Sequence, residues 1–107
     1  MTQSNSKTIY VHFNAKKEIR AFPEEVKDEI KILVAQLAHY GTLEYPEGKK
    51  FLGYDLFEMG IYIGGAFRCF YCYFKEDIVI LSAFQKKSQR TPRREIQKAL
   101  KRKNILN

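Results

Sequence analysis

The sequence predicts a single α+β domain: an antiparallel meander sheet, helices packed on one face of it, and a basic helix at the C-terminus. Three observations predict this class. An amphipathic segment carries helix signals at both ends, three apolar segments follow it with short connections, and a basic segment opens with Thr-Pro. The 107 residues, 45% of them apolar, suit one hydrophobic core. We therefore treat residues 1–107 as one domain and expect the polar residues 1–6 to be disordered.

A helix is predicted over about residues 23–40. Pro23 suits the first turn, acidic residues follow it, and Gly41 lies just beyond the last turn. Apolar residues recur at steps of three and four and form one face: Val26, Ile30, Leu33, Val34 and Leu37. Before this helix, residues 9–13 have the β-branched and aromatic character of a strand. Residues 14–21 are interpreted as a polar connection with room for a helical turn.

The second half of the chain contains most of the predicted sheet. Residues 42–53 are interpreted as a loop with a turn around Pro46 and Gly48. Strands are then predicted over residues 55–62, 66–74 and 77–84. Thr91 is the expected N-cap of the last helix and Pro92 its first residue. The apolar stripe of this helix is narrow, which leaves its cations in water.

The net charge of +7 lies entirely in the C-terminal fifth of the chain. Residues 85–107 contain nine basic side chains and Glu95 alone, whereas residues 1–84 contain ten basic and eleven acidic ones. Clustered like charges repel, so the pattern indicates a polyanion or an acidic partner. A solvated helix face kept basic for solubility explains the same pattern. The sequence shows neither a transmembrane span nor a secretory segment, so we expect a cytoplasmic protein with no membrane partner.

The cysteines and histidines do not form a pattern typical of a metal or redox site. Cys69 and Cys72 lie in a segment that reads as a strand, where residues three apart point to opposite faces. A closed zinc site needs two more ligands, and only His12 and His39 are available, far from each other. We therefore expect two reduced core cysteines, structural histidines and no cofactor.

A few basic residues are candidates for function. Arg68 lies in the most aromatic strand, where an unpaired charge is costly to bury. It either pairs with Glu58 on the preceding strand or faces a wet groove, and both readings stay open. Lys86 and Lys87 follow the last strand, where they either hold phosphate oxygens or form a solvated basic turn. Phosphate loops, zinc motifs and nucleophile elbows are absent from the sequence.

Three segments carry a resemblance to a known family. Residues 84–96 read F-Q-K-K-S-Q-R-T-P-R-R-E-I and resemble the F-x-K-K-T-x-K-T-P-x-x-E-I pattern of HigB-like toxins in the RelE superfamily. Residues 50–59 are similar to the family's K-x-L…L-W/F-E-L segment, and residues 67–71 to its Y-R-hydrophobic-hydrophobic-Y strand. The matches run in the same order over about residues 22–103.

The resemblance implies a RelE-like fold and a toxin of a type II toxin–antitoxin system. Such a toxin is an endoribonuclease that uses no metal and, in many members, cleaves mRNA on the ribosome. A general base activates the ribose 2′-OH, which attacks the adjacent phosphate and leaves a 2′,3′-cyclic phosphate. The implied partners are a HigA-like helix-turn-helix antitoxin, mRNA and the ribosome.

Carried over by position, the resemblance assigns roles to five residues. Arg68 would contact the scissile phosphate, and Lys87 would stabilise that phosphate or act as the acid. Lys50, Lys86 and Arg90 would position the RNA.

The chain departs from the family pattern at one position. The family's L-x-E-L-R reads here L-F-E-M-G, so Gly60 stands where an arginine is expected. Losing a positioned charge from an electrostatic site costs about 10²–10³ in rate. The alternative function is therefore a weakened toxin, or a non-catalytic module that binds RNA or an antitoxin. A DNA-binding repressor is disfavoured, because no helix directly precedes the basic one to form a helix-turn-helix.

Overall fold

A computed structural model describes residues 6–51 and 53–106. The described chain forms an α+β fold, which confirms the predicted class. Its elements, in chain order, are β1 (Ile9–Val11), α1 (Phe13–Arg20), α2 (Glu24–Tyr40), β2 (Gly48–Phe51), β3 (Leu56–Ile61), β4 (Ala66–Phe74), β5 (Asp77–Lys86) and α3 (Arg93–Asn104). Residues 1–5, most of the segment expected to be disordered, lie outside the described residues. Within the described residues, no helix is long and apolar enough to cross a membrane.

The strands form one mixed sheet in the order β1-β5-β4-β3-β2. Strands β2 to β5 form an antiparallel meander, which confirms the prediction for the three apolar strands. Strand β1 departs from the predicted pattern because it pairs with β5 in parallel, with Ile9 opposite Ile78. Two helices and three strands separate β1 from β5 in sequence, so no short turn dictates an antiparallel direction.

Two elements formed where the sequence predicted irregular chain. Helix α1 replaces the polar connection, and His12 caps it by accepting a hydrogen bond at Nδ1 from the Asn14 N–H at 3.0 Å. Burial, and then the charge of Arg102, lowers the pKa of His12, while the charge of Glu18 opposes this shift. Histidine is not among the residues preferred at N-caps, so the sequence offered no start signal. Strand β2 replaces part of the predicted loop and pairs with the first half of β3.

The helix ends follow the sequence signals closely. Gly41 ends α2 in the left-handed conformation at φ 79°, as its position predicted. Pro23 and Pro92 are N-caps of α2 and α3 rather than their first helical residues. Neither helix has a side-chain hydrogen bond at its N-cap, so Thr91 does not cap α3 as predicted.

The sheet carries helices on both faces. Helices α1 and α2 pack on one face around Leu33, Leu37 and Tyr71, as predicted for helices on a single face. Helix α3 lies on the opposite face and buries Ala99 against Phe70 and Leu81, which corrects the one-face expectation for this helix. Its narrow apolar stripe is enough because the sheet face beneath it is also apolar only in part.

The two cysteines lie on opposite faces of β4, as predicted. Cys69 belongs to the core beneath α1 and α2, and Cys72 to the core beneath α3. Both are free thiols, and burial raises the pKa of Cys69 to about 12 and that of Cys72 to about 11. Because the thiolate is the reactive form, these cysteines are inert packing residues.

A half-buried ion pair joins the helices of the two faces around the edge of β5. Arg102 of α3 donates from Nη1 and Nη2 to the two carboxylate oxygens of Glu18 in α1, both at 2.9 Å. Glu18 also accepts from the Ala83 N–H at 3.0 Å, and Arg102 donates to the Leu81 carbonyl at 2.8 Å. The register of β5 against β4 shifts at this point, beyond the end of β1. The pair therefore satisfies edge groups of β5 that no strand reaches.

The stability of the fold should depend on pH through Glu18. Burial alone would raise the pKa of Glu18, but the hydrogen bonds and charge of Arg102, with the Ala83 N–H and Lys98, lower it overall. A lowered folded-state pKa adds stability above the unfolded value of 4.5, and this stability is lost as the pH falls through the folded pKa. We expect Glu18→Gln to cost about 2 kcal/mol at neutral pH and to flatten the acid slope. Urea unfolding from pH 3 to pH 7 measures both effects.

Glu24 provides the control for this prediction. Its carboxylate pairs with Lys27 at 2.8 Å on the exposed surface of α2, where ion pairs contribute little. Glu24→Gln should leave the unfolding free energy and its acid slope nearly unchanged. Equal effects of the two substitutions would contradict a special role for Glu18.

Candidate functional site

A groove of about 530 Å³ lies between the sheet and the N-terminal end of α3. Strand β2 forms one wall, and the segment between β5 and α3 forms the other. Aromatic rings of Phe51 and Tyr54 line part of it. Four cations also line it: Lys49, Lys86, Arg90 and Arg93. The described residues that line the groove include no Asp or Glu, so its chemistry is that of an anion site.

The positive charge of the C-terminal segment is divided between a paired and an unpaired region. Within α3, four cations contact carboxylates at 2.9–3.7 Å: Arg94, Lys98, Arg102 and Lys103. Among the described residues, the groove cations lie within ion-pair distance of no carboxylate. The first turn of α3 adds the positive end of a helix dipole beside them. Three unpaired cations of the C-terminal segment therefore lie at the groove, and Lys49 of β2 adds a fourth.

Arg68 lies in the sheet on the same face as the groove, and it is almost completely buried. Its side chain forms an ion pair with Glu58, at 3.3 Å from Nε to Oε1, and Nη1 donates to the Phe67 carbonyl at 3.0 Å. Arg68 and Glu58 are 7% and 5% exposed. Among the described residues, Arg68 Nε and Glu58 Oε2 have no hydrogen-bond partner. The pair predicted as the structural reading of Arg68 is therefore present, and two of its polar atoms remain unsatisfied.

Tyr62 covers the buried arginine and explains the glycine at position 60. The guanidinium carbon of Arg68 lies 4.8 Å from the centroid of the Tyr62 ring. Gly60 pairs with Arg68 across the strands, and a Cβ at Gly60 would lie 3.0 Å from the Tyr62 hydroxyl oxygen and 3.2 Å from its Cε2. A side chain at position 60 would therefore require the ring to move by a few tenths of an ångström. The close approach that a mid-strand glycine requires is therefore made by Tyr62.

The structure brings together only some of the residues that the sequence singled out. Lys86 and Arg90 line the groove. Lys87 is exposed just beyond β5 and does not line it. Lys50 pairs with Phe57, whose ring packs with the α2-side core, so Lys50 lies on the face away from the groove.

Lys49 was missed by sequence reasoning and takes the place of Lys50 at the groove. It pairs with Glu58 in the β2–β3 register and therefore shares the face of Arg68. Arg93 and Tyr62 were also missed. The alternation of side chains between the two faces of a strand could have identified Lys49. This alternation could not be applied because the segment was interpreted as a loop.

Neither histidine lines the groove. His12 caps α1, and His39 packs edge-on against Tyr40 at the end of α2, with ring centroids 4.6 Å apart. Within the described part of the chain, no three His, Cys, Asp or Glu side chains group closely enough to hold a metal ion.

Comparison with known proteins defines the class of this fold. The structure superposes on that of E. coli toxin RelE, a mutant form in the free state, with a TM-score of 0.70 and 17% sequence identity. The match covers 94% of this chain and 99% of that one. No curated protein sequence matches the chain. The domain therefore has a RelE-like fold with a cationic groove on one face of its sheet.

A family model identifies the particular family. The model described as phage derived protein Gp49-like (DUF891) matches residues 17–104, which include every strand and helix from α2 onward. The chain belongs to this Gp49-like family.

Removing one member of the Arg68–Glu58 pair should destabilise the protein more than removing both. Arg68→Met leaves a buried carboxylate without its partner, and Glu58→Met leaves a buried guanidinium, each at a cost of about 3–5 kcal/mol. The double variant removes both charges, so we expect it to recover most of this loss. Urea unfolding of the four proteins measures the coupling. Additive losses in the double variant would contradict it.

Proposed function

We propose that this protein is the toxin of a type II toxin–antitoxin system, of the HigB-like type, and that it is an endoribonuclease that cleaves mRNA on the ribosome. The observation that carries the proposal is the groove of four uncompensated cations on a RelE-like fold. The sequence pattern of residues 84–96 supports the HigB-like assignment, since its lysines and Thr-Pro form the segment between β5 and α3.

The groove has the chemical character that backbone recognition of RNA requires. Lysine and arginine neutralise phosphates, and this term supplies most of the affinity of nucleic-acid binding that is not sequence-specific. Aromatic rings beside the cations suit single-stranded RNA, whose unstacked bases pack on them. Lys49 lies on one wall of the groove and Arg90 and Arg93 on the other, so an RNA strand in the groove would have cations on both sides.

The proposed cleavage needs charge stabilisation and proton transfer but no metal ion. A base takes the proton of the ribose 2′-OH, the 2′ oxygen bonds to phosphorus, and the bond from phosphorus to the 5′ oxygen breaks. The leaving oxygen takes up a proton, and the product is a 2′,3′-cyclic phosphate. Preorganised cations stabilise the charge that develops on the phosphorane. Lys86 and Arg90 are in position for this role, and Lys87, next to Lys86, is the proposed stabiliser or acid.

The proposed partners follow from the same surface. An antitoxin that neutralises the toxin would cover the groove, and acidic side chains would complement its unpaired cations. We propose that this antitoxin is HigA-like and carries the helix-turn-helix that the toxin lacks.

A second candidate function is a non-catalytic module that binds RNA or an antitoxin through the same groove. The specific observation in its favour is the state of Arg68, which is buried, paired with Glu58 and covered by Tyr62. Gly60 adds no cation to replace it. In this arrangement, the groove binds phosphates while no arginine from β4 reaches them.

Primer extension on mRNA incubated with ribosomes and the purified protein separates the two functions. Cleavage by the natural chain that Arg90→Ala reduces supports the nuclease, and Arg90 is exposed, so this variant keeps its fold. Cleavage by Gly60→Arg alone indicates a toxin disabled at this position. RNA binding with no cleavage by either protein supports the binding module.

Neighbouring lysines of β2 provide a matched test of the groove itself. Lys49 faces the groove and Lys50 faces away, although both are exposed lysines of one short strand. We expect Lys49→Ala to weaken RNA binding and to lower the salt slope of log Kd by about one, because one phosphate contact is lost. Lys50→Ala should change neither. Fluorescence anisotropy across a salt series measures both, and a larger effect of Lys50→Ala would contradict the proposed binding face.

A further inference from the structure

Tyr62 has an exposed ring that packs on the buried side chain of Arg68. It is 62% exposed, yet one face of its ring lies on the guanidinium of Arg68, which is only 7% exposed. Gly60 leaves the space into which the hydroxyl end of the ring folds. A ring held in this way has one face occupied and the other open to solvent.

Other exposed aromatic residues lack this support. The described rings that contact a cation are those of Tyr62, Phe13 and Phe74, and the cations on the latter two are the exposed residues Lys17 and Lys75. Tyr40 is also 62% exposed, but it lies on α2, on the face of the sheet away from the groove. Tyr62 is therefore the exposed ring that combines a buried cationic support with the face of the groove.

The surroundings of Tyr62 are those of a nucleobase platform. In the β4–β5 register, Lys86 lies opposite Ala66, two residues from Arg68 on the same face of the sheet. A phosphate held by Lys86 would bring its nucleotide close to the Tyr62 ring. Base–aromatic stacking is tolerant of sequence because every base has a π-face, and a cation behind the ring adds a further cation–π contact.

We propose that Tyr62 stacks on a base of single-stranded RNA bound in the groove, with Arg68 as the support behind its ring. This inference rests on the proposed RNA-binding function and adds a positioning residue to it. It also explains why a glycine is suitable at position 60, since the glycine leaves space for the ring. The arginine expected at position 60 is thus replaced by an aromatic contact made from position 62.

Binding of a non-cleavable RNA tests this inference without requiring catalysis. The probe is a short single-stranded RNA with 2′-O-methyl riboses and 2-aminopurine at one of several positions. Stacking on Tyr62 should quench the fluorescence of 2-aminopurine at one position. We expect Tyr62→Ala to abolish this quenching and to weaken binding about ten-fold, while Tyr62→Phe retains both because the ring remains. Gly60→Ala should change the quenching less than Tyr62→Ala does, because its Cβ requires the ring to move only by a few tenths of an ångström.

Two further variants separate stacking from a structural role. Tyr40→Ala removes an equally exposed ring from the other face of the sheet and should leave binding unchanged. Tyr62→Leu keeps an apolar cover over Arg68 but has no π-face, so it should behave like Tyr62→Ala. Thermal unfolding of each variant confirms that it is folded before binding is measured.

The outcomes distinguish this inference from the proposed function. If the natural chain binds the RNA and Tyr62→Ala binds equally well or more tightly, Tyr62 is only a cover over Arg68 and the inference is overturned. Full binding and quenching by Tyr62→Leu overturns it as well. If the natural chain does not bind RNA at low salt, both the proposed function and the inference fail. Binding with Tyr62-dependent quenching but without mRNA cleavage supports the inference and contradicts only the nuclease.

Discussion

The ion pair between Glu18 and Arg102 is the interaction on which the arrangement of this protein depends. Helices α1 and α3 lie on opposite faces of the sheet, so neither can pack directly against the other. The pair joins them around the edge of β5 and uses the Ala83 N–H and the Leu81 carbonyl as additional partners. Strand β1 ends opposite Ile80 of β5. Beyond that point, the side chains of Glu18 and Arg102 make the hydrogen bonds to β5 that a longer β1 would make.

The basic C-terminal segment has a region of paired cations and a region of unpaired ones. Along α3, carboxylates from α1, from α3 itself and from the β2–β3 turn lie beside the cations and neutralise them. The groove cations, which include Arg93 at the first residue of α3, have no such partner among the described residues. Self-repulsion of that unpaired charge is relieved when an anion binds. The two interpretations of the basic segment therefore concern different parts of it: the solvated helix face lies along α3, and the proposed polyanion site lies at the groove.

On the face of the sheet beneath the groove, the contacts of Tyr62 and Arg68 depend on one glycine. Gly60 allows the Tyr62 ring to fold back over β3, and the ring then lies on Arg68. With Glu58 on its other side, Arg68 is removed from solvent although it lies on the groove face. A buried ion pair with unsatisfied atoms adds little to stability. The glycine that departs from the RelE-type sequence pattern at position 60 is therefore accompanied by a changed arrangement of Tyr62 and Arg68.

Local sequence signals were sufficient to predict three features: α2 with its apolar stripe and Gly41 cap, the meander of β3 to β5, and the opposite faces of Cys69 and Cys72. The sequence also indicated the Arg68–Glu58 pair and the basic segment that opens with Thr-Pro. Periodicity and turn residues encode these features within a few positions of the chain. Three features could not be predicted from the sequence and are evident in the folded chain: β1 runs parallel to β5, α3 lies on the second face, and Lys49 rather than Lys50 faces the groove. These features depend on contacts between elements that are distant in sequence. In a short strand, pairing with the neighbouring strand, and not the local sequence, determines which side chains lie on which face.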